Sequence, residues 1–459
     1  FKRHDGHAVT TEDFVDAMSD ASGVDLGQFK VWYDQNGTPK LKITSDYNEE
    51  KKEFSFTIEQ STNLNNDNYE ALHIPFVYGL ISKSGEEKKK DIIHLKKQRE
   101  TFVIKNIDEE VVPSWNRNFH APIIVQYEYT EKDLAMLMAF DTDNFNRYES
   151  AQKYFKKNLL ELVKKLQEKE EVLTDQILSQ SFKASFKKLL TDKSIDKSFL
   201  AFSLEIPSIN ALNNELKVYD FDNVNKARKL YREAIGKEFN EEFNTIFSVL
   251  NHTKEFDLSV EAMGERALKS VALSYIIFSG QKDASTLATD LFDNANNMTD
   301  EIAGLKLLHY IGGEVGEKAL SKFYEKWKNE TLIMQKWLTI QTTKDDVDVI
   351  DDIQELENSD IYDKKVPNLV RSLIGGFAVL NPVIVNHPSG AGYKFLADRI
   401  IEIDKYNPQI ASRIAKSLSY LKKLDTKRQD MLKVELKRIL ETKGLSENTL
   451  EIVQTNLGL

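Results

Sequence analysis

Cysteine is absent from this chain of 459 residues. That excludes disulfides, thiolate metal sites and cysteine nucleophiles, and it suits a reducing compartment. Proline is scarce, with nine residues in all. Beyond residue 130 only Pro207, Pro367, Pro382, Pro388 and Pro408 occur, so helices there meet few breaks. No run of about 18 apolar residues exists to read as a membrane span. The longest candidate, SLIGGFAVLNPVIV, is interrupted by Asn381 and Pro382. A basic excess is also missing. The net charge of −11 argues against a nucleic-acid partner, which needs a dense basic face. Lys88, Lys89 and Lys90 follow Glu86 and Glu87 and read as a solvated loop.

What is present is ordinary globular material, 41% apolar and 29% charged. The length implies roughly two to four domains. The opening reads as helix: Thr10 as N-cap with Asp13 three residues on, then Phe14 and Met18 one turn apart. Asp25 is a candidate cap for a second helix carrying Leu26, Phe29, Trp32 and Tyr33, ended by Asn36-Gly37. From residue 38 the period becomes two. Phe54, Phe56 and Ile58 face one way, as do Leu72, Ile74, Phe76, Tyr78 and Leu80, and then Ile123, Val125, Tyr127 and Tyr129. About five to seven such strands predict an immunoglobulin-like β-sandwich. After about residue 130 the period is helical to the end. Tyr148, Ala151, Phe155, Leu159, Leu162 and Leu166 line one face. Helix starts recur near Asp141, Thr174, Asp196, Asp220, Thr299, Asp346 and Asn407. Helix after helix without a strict repeat predicts irregular stacking of antiparallel pairs.

Motifs that carry chemistry are few. Of eight histidines none stands in H-E-x-x-H. His4 and His7 lack a third ligand for zinc, and His252, His309 and His387 are isolated. GGEVGEKA (312–319) lacks the strand and the Gly-Lys-Ser/Thr ending of a phosphate loop, so it reads as a helix–helix turn. SGAGY (389–393) reads as a loop. Two arginines stand out. Arg371 lies in PNLVRSLIGGFAVLNP, a helix otherwise apolar nearly all round. Arg413 lies in NPQIASRIAKSL, where Ile410, Ile414 and Leu418 form the packed face. A guanidinium in such a segment needs a carboxylate, carbonyls or a wet cavity. It serves a structural ion pair, snorkels to the surface, or lines a cavity that takes an anionic or carbonyl-rich ligand.

RHDGHAVTTEDFVDAM and DLGQFKVWYDQNGTP, then LHIPF (72–76) and FHAPI (119–123), then DNFNRYESAQ, NNMTD, KWLTIQ, RSLIGGFAVLNP and NPQIASRIAKSLSYLKKLDTKRQ follow in order along the chain. In this ordered set the chain resembles the C-terminal half of the bacterial aminopeptidase N family, alanyl aminopeptidases of the zinc gluzincin class. His120, Tyr148 and Gln335 depart from the residues usual at their places. The family's G-A-M-E-N and H-E-x-x-H motifs do not occur.

The resemblance implies a multidomain α+β chain. Residues 1–37 would be helices from the end of a thermolysin-like catalytic domain, 38–130 a β-sandwich, and 131–459 a large all-α superhelical domain. It implies a non-catalytic region of a zinc aminopeptidase, capping the active site and forming an internal chamber for peptides. Arg371 and Arg413 match basic positions facing that chamber, and Gln409, one turn before Arg413, joins them. The chain itself is expected to hold no metal and to be inactive alone, with zinc belonging to the complete enzyme. Expected partners are peptide substrates and its own catalytic domain, with self-association of the isolated segment. A cytoplasmic location is expected, without nucleic acid or membrane. The alternative is an independent α-solenoid adaptor that binds a peptide in its concave face.

Overall fold

A computed structural model describes residues 1–62, 64, 69–251 and 255–459; His252 lies outside them. They fall into two compact units, Phe1–Tyr154 with Gln180–Ile195, and Phe155–Ser179 with Asp196–Leu459.

The first unit is built on two sheets. β1 (Pro39–Asn48), β2 (Glu53–Thr62), β5 (Arg99–Lys105) and β7 (Ile124–Gln126) form one, in the order β5-β2-β1-β7. β3 (Ile74–Ser82), β4 (Glu87–Leu95) and β6 (Val111–Trp115) form the other, in the order β4-β3-β6. Pairings are antiparallel except β1 with β7, which run parallel. The predicted alternation holds: Phe54, Phe56, Ile58, Ile74, Phe76, Tyr78 and Leu80 are all buried. Trp115 fills the centre, its ring 4.9 Å from Phe56 and 5.9 Å from Phe76.

Two expectations here need correction. Lys88, Lys89 and Lys90 lie in strand β4, not a loop. The strand pairs antiparallel with β3, Lys89 opposite Leu80 and Lys90 opposite Gly79, and Lys88 Nζ meets Glu109 at 2.7 Å and Glu86 at 2.9 Å. FHAPI is not a strand. Asn116 and Asn118 adopt left-handed φ values of 53° and 57° around a tight turn, Arg117–Phe119. Asparagine tolerates that conformation.

The opening helix, Thr11–Ser22, starts with the predicted Thr10/Asp13 capping box. Only Val15 is buried, and Phe14 and Met18 stand 55% and 48% exposed. Asp25 caps a turn rather than a long helix, accepting from the Gly27 amide at 2.8 Å. A 3-10 turn, Gln28–Lys30, and one helical turn, Val31–Asp34, follow. This stretch is latched to the sandwich. Trp32 Nε1 donates to the His73 carbonyl (3.0 Å), and Gln28 Nε2 donates to the carbonyls of Ala71 and Lys96 (2.9 and 2.7 Å).

The second unit is helical throughout. Successive helices pack on one another, among them Phe221–Glu238, Asn240–Leu250, Val260–Phe278, Ala284–Asp293, Met298–Ile311, Gly313–Trp327 and Thr331–Gln341. Three of the predicted starts are caps: Asp196, Asp220 and Asn407 each accept from a backbone amide three residues on. Others are displaced: Asn297, not Thr299, caps Met298–Ile311, helix Val349–Glu357 follows Asp348 without a side-chain cap, and Thr174 opens only a 3-10 turn. Gly312 and Gly313 make the expected helix–helix turn with φ of 73° and 59°, which glycine adopts without cost. SGAGY is only half a loop. Gly390 is left-handed, but Ala391 already begins helix Ala391–Asp404. A Cβ on Gly392 would lie 2.5 Å from the Val385 carbonyl, so the close approach needs glycine there.

Candidate functional site

The segment around Arg371 is not one continuous helix. Pro367 occupies the first helical turn of Pro367–Val370, where its missing amide costs nothing. A π-turn, Arg371–Gly375, follows, and then helix Gly376–Leu380. A π-turn takes one extra residue and displaces carbonyls from the helical ladder. The Ser372 carbonyl is taken up from outside by the Thr339 hydroxyl at 3.0 Å. A Cβ on Gly376 would lie 3.2 Å from Thr342 Oγ1, so glycine lets helix Thr331–Gln341 approach. Buried Asn381 closes the segment. Its amide donates to the carbonyls of Thr342 (2.9 Å) and Lys344 (2.8 Å), and its oxygen caps the next turn.

Helix Pro408–Lys416 is the second carrier. Asn407 caps it and Pro408 takes its first position. Ile410, Ala411, Ile414, Ala415 and Leu418 are buried as predicted. Gln409, Arg413 and Lys416 lie on the opposite, exposed face. The π-turn packs against this helix, so Arg371 and the Gln409–Arg413 face sit on neighbouring elements.

Arg371 is not embedded in an apolar environment. It is exposed and Nη1 donates to Asn368 Oδ1 at 3.0 Å. Neither it nor Arg413 has a carboxylate at ion-pair distance among the described residues. The structural-pair reading therefore has no carboxylate behind it; the exposure of both side chains fits a solvated surface residue and leaves both open to an anionic or carbonyl-rich ligand. Sequence periodicity missed the π-turn; Gly375-Gly376 was its only local sign.

A cleft of about 420 Å³ is lined by Glu357, Tyr362, Arg399, Glu402 and Tyr406. There Arg399 grips Glu357 in fork fashion, Nε to Oε1 at 2.7 Å and Nη2 to Oε2 at 2.5 Å. Among the described residues no group of three or more histidines and carboxylates is placed to hold a metal ion.

Residues 131–458 match the family model described as "Domain of unknown function (DUF3458_C) ARM repeats". The chain belongs to this family. Residues 37–128 match the companion model, described as DUF3458 with an Ig-like fold. Aminopeptidase N of Escherichia coli strain K12 is 30% identical over 468 residues, covering 100% of this chain and 53% of that protein. Aminopeptidase N of Caulobacter vibrioides is also 30% identical, over 463 residues, with the same coverage. A solved structure of Legionella pneumophila aminopeptidase A in complex with aspartic acid superposes with a TM-score of 0.84 at 30% identity, over 100% of this chain and 53% of that one. The resemblance to aminopeptidase N thus holds along the whole chain. The chain spans about half the length of the curated relatives it matches.

Proposed function

We propose that this chain is the part of a cytoplasmic zinc aminopeptidase that covers the active site and walls a chamber for peptides. In this reading Arg371, Arg413 and Gln409 face the passing peptide. The observation that carries it is the pair of exposed guanidiniums, unmatched by any carboxylate among the described residues, in a chain whose whole length aligns with part of aminopeptidase N. The partner would be the enzyme's own metal-bearing domain, on which the exposed apolar side chains Val9, Phe14, Met18 and Tyr33 would dock. Zinc would polarise the scissile carbonyl there; no residue of this chain takes part in that step.

Incubated with zinc and an alanyl chromogenic amide, the isolated chain is expected to show no turnover above buffer. Clear metal-dependent hydrolysis would overturn the reading. In the complete enzyme, Arg371→Ala is expected to raise KM for tri- and tetrapeptides about tenfold, by loss of a charge-assisted contact. KM for a single-residue amide, too short to reach the wall, is expected to stay unchanged. Equal effects on both substrates count against a chamber role.

A further inference from the structure

We propose that Arg228 and Arg232 form a second site, for a carboxylate of the kind a peptide carries at its C-terminus or on an acidic side chain. The two lie one turn apart on helix Phe221–Glu238, so their side chains leave the same face. Arg228 Nε donates to the Pro207 carbonyl at 2.7 Å. The Arg232 guanidinium carbon lies 4.9 Å over the Phe278 ring. That ring meets Tyr310 edge-on with centroids 5.2 Å apart, and Tyr310 is half exposed. Both arginines keep part of their surface open. Neither has a carboxylate at ion-pair distance among the described residues.

This arrangement is costly unless something anionic joins it. Burial pulls Arg228 down to about 9, with the Arg232 charge adding to the effect; burial also pulls Arg232 below its ordinary value. Guanidiniums nonetheless remain cationic at neutral pH. Like charges a turn apart repel, and a desolvated cation wants a hydrogen-bonded counter-charge. Glu205 acts on Arg232 from farther off, and burial pushes its own carboxyl up, which weakens its compensation. One carboxylate spanning the two forks would relieve both costs in the geometry guanidinium favours. The Phe278–Tyr310 wall suits an anion attached to carbon. Glu205 and the chain's −11 charge disfavour a polyanion such as nucleic acid.

The inference does not rest on the aminopeptidase reading and is tested by binding alone. The full chain is titrated calorimetrically with triglycine, triglycine amide and Gly-Glu-Gly amide. Triglycine is expected to bind, and R232Q to weaken it about tenfold. Triglycine amide is expected not to bind. If Gly-Glu-Gly amide binds and R232Q abolishes this, the carboxylate comes from a side chain; if only triglycine behaves so, it comes from the C-terminus. Equal binding of triglycine and its amide overturns the site. So does triglycine binding that survives R232Q but is lost in R371A/R413A. Should R232Q fail to fold, phenylglyoxal labelling of the unmodified chain decides. Triglycine must shield Arg228 and Arg232 while its amide does not, and equal labelling overturns the proposal.

Discussion

Arg117→Met is expected to destabilise the first unit by about 3–5 kcal/mol at pH 7, the cost of leaving a buried charge without its partner. Arg117 is 1% exposed, yet it carries a full charge. Nη1 donates to Glu87 Oε2 of β4 at 2.6 Å, and Nη2 to Asp141 Oδ1 at 3.0 Å and to the Thr142 hydroxyl. One guanidinium therefore ties the β6 turn to β4 and to the end of helix Glu131–Phe140. Gly79 of β3 makes the room, since a Cβ there would lie 2.7 Å from Arg117 Nη1. Methionine keeps most of the stem volume, so the loss is chiefly electrostatic. Burial pushes the Asp141 carboxyl up, and hydrogen bonds and the Arg117 charge only partly offset this. For Glu87 burial also acts upward, but hydrogen bonds from Thr142 and Arg117 outweigh it and its value falls below the ordinary one.

Asp141, raised in the folded state, favours folding when protonated, and that contribution is lost as pH climbs through its folded value. Glu87, lowered, contributes above its unfolded value and loses this as pH falls. Without Arg117 the Asp141 carboxyl moves further up and Glu87 loses part of its lowering, so the variant is penalised most where both are ionised. Urea unfolding of the parent and Arg117→Met at pH 7 and at about pH 4.5, near the unfolded carboxyl range, is expected to show a markedly smaller difference at the acidic point. An equal loss at both would mean that packing, not charge, holds the cluster.

The parts of this molecule legible from sequence are those set by period and by local capping. Phe54, Phe56 and Ile58 are buried because period-two alternation leaves a strand no other way to hide them. Thr10 with Asp13, Asp196, Asp220 and Asn407 cap helices because side-chain oxygens beside free amides are a local matter. Features created by distant partners were illegible. Lys88 looks like loop material until its β3 neighbour and the acids at Glu86 and Glu109 are in place. In the π-turn the Ser372 carbonyl finds its donor 33 residues upstream, at the Thr339 hydroxyl. Nothing in the local sequence marks Arg117, and only the fold brings Glu87 and Asp141 to it. Arg228 and Arg232 gave a faint sign, two cations one turn apart beside the buried stripe Val224, Ala227, Tyr231 and Ile235. Spacing alone does not say whether such a pair is solvated.

Lys269→Met is expected to destabilise the helical unit by about 3 kcal/mol, while Lys269→Met combined with Asp300→Leu returns to within about 1 kcal/mol of the parent. The two side chains are each 8% exposed and meet at 2.7 Å, Nζ to Oδ2. Asp300 sits in the first turn of helix Met298–Ile311, and Asn297 Nδ2 adds a second donor at 2.9 Å. Its other oxygen, Oδ1, is buried without a hydrogen-bond partner, so the carboxylate already leans on Lys269 more than a fully bonded one would. Removing the ammonium strands that charge, whereas removing both replaces an expensive pair by apolar contact. The N-cap survives the double change, because Asn297 Oδ1 accepts from the backbone amide of residue 300 and not from its side chain. What the double variant does lose is an anion at a helix N-terminus, worth about 0.3–1 kcal/mol. Two clefts of about 290 Å³ each meet at Lys269, Asn296 and Asp300, and solvent reaching through them would soften the single-variant loss. A double-mutant cycle by urea unfolding separates these contributions. A coupling energy below about 0.5 kcal/mol, no more than an exposed pair gives, would show that water and not Lys269 compensates Asp300.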